Sequence, residues 1–535
     1  MLNYIWFTLL LLGIVTAVTV DLSDKATNKY RNGEQLYVLI KFDQPRIDSS
    51  KSVNATLMVS STVFNDFYNV KEPADIFQNL RLKYNPGEKN FTSFFEAGDG
   101  TPSIWKEMAK VGGKENDLSG KVVLRQKLDS LLYTGSFYPE EISFSRMREV
   151  TNAAIDYASN AVKIALGLIG IMALWLGIMK IAEQSGLISI IARGLRPVTK
   201  FLFPDVPQDH PAMGSMIMNI SANMLGLGNA ATPFGLKAME ELDSLNPEKG
   251  TATNAMCTFL AINTAGLTLI PATAIAVRAS AGSSDPAIII GTSFFGAACA
   301  TFTGILAAKI LEKFSIPGYN FKEWFRSNIK FIGGFFIAAA AILLAIVTGF
   351  FSMVDTDIIK SIVQGISFLA IPLIIISFVF YGALKKVKLY EVFVEGAKEG
   401  FNVAVRIIPY LVAMLVAIGI FRAGGAMDLL ILIISPVTNL IGMPAEALPM
   451  ALMRPLSGSG SLGIMSEIIS VHGADSFIGI LVSTIMGSTE TTFYVLALYF
   501  GTVNIKRTRH AVAAGVLADI AGILGALFIV GVLFG

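Results

Sequence analysis

Histidine and cysteine are almost missing from this chain, which has three of the first and two of the second in 535 residues. Cys257 and Cys299 lie in apolar surroundings with no C-x-x-C pair, which excludes a disulfide framework and a thiolate metal centre. His210, His472 and His510 fall in loops or at hairpin edges, without the one-face spacing of a zinc site. Charge is scarce too: 15% of residues against 53% hydrophobic, a net charge of +2, and no basic tail that would suit nucleic acid. A Walker loop, a dinucleotide fingerprint and a G-x-S-x-G elbow are all absent, so no pattern points to ATP-driven transport, hydrolysis or a cofactor. The chain reads as a non-enzyme.

What remains is long apolar sequence, and its solvent over most of the length must be lipid. Candidate spans lie near 161–182, 254–276, 286–311, 331–353, 361–383, 403–422, 476–502 and 511–534, each long enough to cross about 30 Å of hydrocarbon. Residues 1–20 lack a charged n-region and a clear cleavage site, and read as a further, uncleaved transmembrane helix rather than a signal peptide. That makes about nine spans. Residues 21–148 differ in character, with alternating stretches such as YVLIKF and turn signals such as YNPGEKN, and read as a small soluble α+β insert.

The regions on either side of the middle span follow one order of features. Each has an amphipathic segment, a span, and a short helix ending in Pro-Val-Thr (Pro197-Val198-Thr199 and Pro436-Val437-Thr438). Each then has a Gly/Ser/Asn-rich stretch too polar to cross as an ordinary helix (210–237 and 446–470), a span opening with polar residues, and a closing span. These stretches are candidates for re-entrant hairpins. The expected organisation is a first helix at 1–20, an insert at 21–148, a first module at 149–312, a linker with one span at 313–360, and a second module at 361–535.

Lys and Arg in short loops stay cytoplasmic. Basic clusters occur at Arg193/Arg196/Lys200, Lys309/Lys313/Lys322/Arg326/Lys330, Lys385/Lys386/Lys388 and Lys506/Arg507/Arg509, while their counterparts in the other half are nearly free of positive charge. The halves therefore read as inverted repeats in a polytopic α-helical protein of a bacterial inner membrane, with the insert and the C-terminus extracytoplasmic.

Inverted repeats with paired broken elements are the pattern of secondary transporters, where solute sits between unwound segments. In the first hairpin Asn219, Ser221, Asn223, Asn229 and Thr232 carry the polar groups; in the second Arg454, Ser457, Ser459 and Ser461 do. Arg454 is costly facing lipid and calls for a carboxylate, a helix end or a ligand anion. Asn254, Asn263, Thr264 and Thr268 mark the matching span of the first half, where Pro271 breaks or kinks the helix. In the second half Ser488 and Glu490 open the corresponding span; Glu490 is either a solute ligand or a structural partner of Arg454. Asp519, also inside a span, reads as a structural partner of Arg509 or Lys506. The expected binding set is Asn219, Asn223, Asn229, Asn263, Thr264, Arg454, Ser457, Ser459, Ser488 and Glu490, with no catalytic residue and no metal ligand. Glycines alone read better as close helix packing.

The segments ALGLIGIMALWLGIMKIAE, SANMLGLGNAATPFGLKAMEEL and NAMCTFLAINT resemble spore maturation protein A. IIPYLVAMLVAIGIFRAGGAMDLL, ALMRPLSGSGSLGI and GSTETTFYVLALYFGTVNIKRTRHA resemble spore maturation protein B. Members of that family carry a nucleoside recognition, or gate, domain, similar to parts of concentrative nucleoside transporters and of the ferrous iron transporter B. The resemblance implies transport or gating of a small polar solute, a nucleoside among the candidates, and suggests that the two modules work as one complex. The competing expectation is a non-transporting envelope scaffold that recruits cell-envelope partners through 21–148. A homo-oligomer is compatible with either.

Overall fold

The computed structural model describes residues 2–44, 52–112, 117–314 and 356–535. The expected span at 331–353, with most of the linker around it, lies outside the described residues. The chain divides into two compact units.

One unit holds residues 7–156 with 419–429. Helix α1 (Leu2–Thr27) runs past residue 21, beyond the apolar stretch of the sequence, and the first strand starts only at Leu36. Six strands then pair antiparallel in sequence order and close into a barrel: β1 (Leu36–Phe42), β2 (Val53–Val59), β3 (Ile76–Asn85), β4 (Asn90–Glu96), β5 (Asp117–Lys127) and β6 (Leu132–Pro139). In β1 every second residue is buried, from Leu36 through Val38 and Ile40 to Phe42, which is the period a pleated strand imposes. Two short helices, α2 (Ser61–Tyr68) and α3 (Ser103–Gly112), join the strands. Trp105 of α3 is fully buried, stacks edge-on to Phe64 and Phe137, and donates its indole N–H to the Tyr68 hydroxyl at 3.0 Å. At Glu107 burial opposes the charged form. The Lys29 ammonium at 2.6 Å and the Tyr30 hydroxyl at 2.8 Å outweigh that, and hold the carboxyl below its ordinary range.

The other unit is helical. It contains the body of α4 (Ser145–Gln184), α5 (Leu187–Leu202), α6 (Pro211–Met224), α7 (Gly228–Ser244), α8 (Asn254–Ala265), α9 (Ala272–Ser280) and α10 (Ile289–Phe314). After the undescribed stretch come α11 (Thr356–Leu384), α12 (Leu389–Ala423), α13 (Ala426–Leu440), α14 (Leu448–Met453), α15 (Gly458–His472), α16 (Phe477–Ser488), α17 (Thr492–Thr502) and α18 (Ala511–Phe534). The order long helix, short helix with an internal proline, helix pair, broken helix, closing helix occurs from α4 to α10 and again from α12 to α18. Pro197 and Pro436 sit inside α5 and α13.

Six helical segments among the described residues are long and apolar enough to cross a bilayer: Asn3–Thr27, Ser145–Gln184, Pro286–Phe314, Leu389–Ala423, Phe477–Thr502 and Ala511–Phe534. The fifth is broken at 489–491, so the expected continuous span at 476–502 is instead two helices, α16 and α17. The chain is a multi-pass membrane protein. The expected continuous span at 254–276 is instead two helices of 12 and 9 residues, because Gly266 takes φ 59 and Pro271 cannot continue a helix. Residues 361–383 fall within α11, of which Leu369–Leu384 is a shorter apolar stretch.

Small residues set how closely these helices approach. α4 and α12 cross where Gly396 and Gly400, one turn apart, face Leu176–Gly177 and Met172–Ala173; a Cβ at Gly400 would lie 2.5 Å from the Met172 carbonyl oxygen. α10 and α18 meet in the same way, with Gly304 against Ala518 and Gly525 against Cys299. Lys180 of α4 lies 3.4 Å from Glu399 of α12 beside that crossing.

Candidate functional site

The two helix pairs end in different turns. Between α6 and α7 the chain reverses over Leu225-Gly226-Leu227, and Gly226 takes φ 76, a conformation that a side chain disfavours. The loop between α8 and α9 is bonded to that tip: Leu269 N–H donates to the Met224 carbonyl at 2.8 Å and the Thr268 hydroxyl donates to the Asn223 carbonyl at 3.3 Å. Between α14 and α15 the reversal runs through residues 454–457. Ser457 caps α15, accepting from the Gly460 N–H at 3.0 Å.

The two broken helices meet. Residues 489–491 separate α16 from α17 in extended conformation, and the Glu490 N–H donates to the Thr264 carbonyl at 2.9 Å, the last turn of α8. A Cβ at Gly266 would lie 2.6 Å from the Glu490 side chain, so glycine is required at that contact. Arg454, 3% exposed, donates to the Thr489 carbonyl and stands 3.5 Å from the Glu490 carboxylate. The Phe493 N–H donates to the Pro455 carbonyl at 3.1 Å, so the second hairpin closes on the second break as the first closes on the first.

A cavity of about 370 Å³ opens where these parts converge. Of the expected binding set, Asn223, Arg454, Ser459 and Glu490 line it. The side chains of Asn219, Asn263, Thr264, Ser457 and Ser488 do not line it; these residues are buried and bond to protein. The Asn223 amide donates to the Asn263 side-chain oxygen at 2.9 Å, and Asn219 donates to the Ala231 carbonyl at 2.8 Å. Ser488 donates to the Thr484 carbonyl at 2.6 Å. The side chain of Asn229 lies outside the described residues.

Several contributors were not singled out in the sequence, Tyr499, Trp175 and Ile407 among them. Tyr499 of α17 accepts from Asn219 at 3.1 Å and donates to Asn263 at 3.4 Å, joining second-half to first-half residues. Its signal was a phenol in an otherwise apolar run, which is also common in membrane helices. Trp175 of α4 and Ile407 of α12 line the cavity from helices that read as plain spans. Asp519 is a correction: it lies in the middle of α18, 1% exposed, and accepts from the Thr492 hydroxyl rather than pairing with Arg509 or Lys506. α18 starts only at Ala511, and two turns of helix separate Asp519 from the basic loop.

A second constellation sits at the loops. Arg278, fully buried at the end of α9, donates to the Asp475 carboxylate at 2.8 Å, to the Ser283 hydroxyl at 3.0 Å and to the Ala474 carbonyl. Burial opposes the charge of Asp475, but Ser283, the Ser284 N–H and hydroxyl, and Arg278 carry its carboxyl below the ordinary value. This clasp joins the loop before α10 to the loop before α16.

Comparison with known proteins matches the nucleoside recognition gate family model to residues 165–280 and 404–506, the stretches that supply most of the cavity. The chain is 50% identical to spore maturation protein B of Bacillus subtilis (strain 168) over 174 residues, 32% of this chain and 98% of that protein. It is 46% identical to spore maturation protein A of the same organism over 168 residues, 31% of this chain and 84% of that protein. No solved structure matches significantly. With 98% of one relative and 84% of the other covered at such identity, the chain belongs to the family of spore maturation proteins A and B.

Proposed function

We propose that the chain is a membrane transporter or channel for a small polar solute, bound in the cavity where the two hairpin tips and the two helix breaks converge. The observation that carries this reading is the composition of that wall: a guanidinium, a half-exposed carboxylate, an amide and a hydroxyl, at Arg454, Glu490, Asn223 and Ser459, set among apolar residues. A concave, mostly apolar site with a few convergent polar groups is what a small-molecule site requires. Ionisable groups inside membrane helices mark solute pathways by default. Nucleosides are the first class to test, since the matching family model is described by nucleoside recognition; their base edges pair with amides and their hydroxyls with charged groups.

In this reading the runs α4 to α10 and α12 to α18 are inverted repeats and their helix pairs are re-entrant. The barrel and the C-terminus face the extracytoplasmic side of a bacterial inner membrane. The support is the distribution of Lys and Arg, with Arg193, Arg196 and Lys200 in α5 but no Lys or Arg in the matching α13 or in the loop that follows it. No bond is made or broken in the solute.

The test is uptake of radiolabelled nucleosides by proteoliposomes holding the full chain. Uptake that falls at least tenfold in Glu490→Gln and Asn223→Ala supports the site; uptake equal to that of empty liposomes removes the transport reading for that class.

A further inference from the structure

α18 is apolar along its length except for Asp519, and the face that carries it is pressed onto the second helix break. A Cβ at Gly515 would lie 2.8 Å from the Thr492 methyl and 3.5 Å from the Thr264 hydroxyl. A Cβ at Gly522 would collide with the Thr489 methyl and lie 3.3 Å from the Ser488 carbonyl oxygen. Asp519 lies between these two glycines, one turn from each, so its carboxylate is held against residues 488–492.

The oxygen atoms there are not all used. Asp519 Oδ2 accepts from the Thr492 hydroxyl, while Oδ1 is buried without a hydrogen-bond partner among the described residues. The Thr489 hydroxyl, on a residue 2% exposed, is also buried and without a partner. Both belong to the same packed layer, since Thr489 touches the Gly522 turn of the helix that carries Asp519. A buried carboxylate oxygen and a buried hydroxyl left unmade cost free energy that native structures avoid unless something else binds them.

We propose that Asp519, with the Thr489 and Thr492 hydroxyls and the carbonyl of Ser488, forms a site for a sodium ion at the break between α16 and α17. The donors are all hard oxygens, the set that suits a hard cation rather than a soft metal. One carboxylate among neutral oxygens carries a single negative charge and balances a single positive one. Backbone released from helical bonding is where such ions bind in membrane carriers. Arg454, whose guanidinium is already taken by the Thr489 carbonyl and Glu490, lies on the hairpin side of the same break, so ion and cavity share one wall. The site is defined by the ion alone and stands whether or not the cavity carries a solute.

The experiment is thermal unfolding of the detergent-purified full chain in sodium chloride against choline chloride at equal ionic strength. A ligand that binds only the folded state raises its apparent stability. Sodium should raise the Tm of the native protein saturably, Asp519→Asn and Thr489→Val should lose that rise, and Gly170→Ala should keep it. Equal Tm in the two salts overturns the proposal without recourse to any variant, and so does a sodium response that survives Asp519→Asn. Should Asp519→Asn fail to fold, the native comparison and Thr489→Val still decide.

Discussion

The Arg454 guanidinium stands 3.5 Å from the Glu490 carboxylate, yet the arginine side chain is 4% exposed and the glutamate side chain 51%. The asymmetry separates their roles. Arg454 is a structural post as well as a wall, because it also holds the Thr489 carbonyl. Glu490 turns half its surface to the cavity and gains little from a pair that solvent reaches. Glu490→Gln leaves the buried guanidinium its bond to the Thr489 carbonyl and should cost about 1 kcal/mol of stability. Arg454→Ala loses a charge-assisted bond at a buried site and should cost about 2 kcal/mol. Thermal melts of the two purified variants check the order, and a larger loss in Glu490→Gln would reverse the assignment.

Asn219, Tyr499 and Asn263 form a chain of hydrogen bonds between residues far apart in sequence. Tyr499→Phe removes the hydroxyl but leaves Asn219 its bond to Ala231, so the expected cost is about 1 kcal/mol. Asn219→Ala removes both bonds and should cost about 2 kcal/mol. The double variant should cost less than the sum, by more than about 0.5 kcal/mol, because the two share one bond. Strict additivity in denaturation would show that the chain carries no coupling.

Gly400 and Gly170 separate packing from propensity. A side chain at Gly400 meets the backbone of Met172 and Ala173, whereas at Gly170 nothing lies within 4 Å. Gly400→Val should abolish the crossing of α4 and α12 and with it most folded protein, measured as monodisperse material in detergent. Gly170→Ala should be neutral.

Asp475 gives the pH dependence. Its folded carboxyl is held below the ordinary value of 3.8, so the stability it contributes is fully present above that value and is lost as pH falls through the folded pKa. The Arg278 clasp should therefore loosen only in strong acid, below about pH 4. In Asp475→Asn the melt should lose that acid-side slope and be lower at neutral pH, where Arg278 stays buried with one partner fewer.

Much of the membrane architecture was legible because lipid imposes a blunt requirement, a run of about twenty apolar residues per crossing. The helix breaks were legible less fully. Pro271 announced one of them, whereas the break at 489–491 has no proline, and its sequence signal was only the polar run Ser488-Thr489-Glu490. Arg454 and Glu490 stood out because charge is rare in such helices, and both line the cavity. Asn219 and Ser488 are of the same residue types as cavity groups yet bond inward, since an amide or hydroxyl satisfies its backbone neighbours as readily as a solute. Composition cannot tell these apart; only the direction of the side chain does. Asp519 was misread for a related reason. Proximity in sequence to Arg509 suggested a pair, while the helix carries the carboxylate away from the loop and onto a break that lies elsewhere in the chain.

The most direct test of the central claim is ligand binding to the purified full chain, read as a thermal shift across a panel of nucleosides with Glu490→Gln as the comparison. Binding in the cavity predicts that a nucleoside raises the Tm of the native protein and leaves that of Glu490→Gln unchanged. A panel that stabilises neither protein, or both equally, would contradict a nucleoside site built on Glu490.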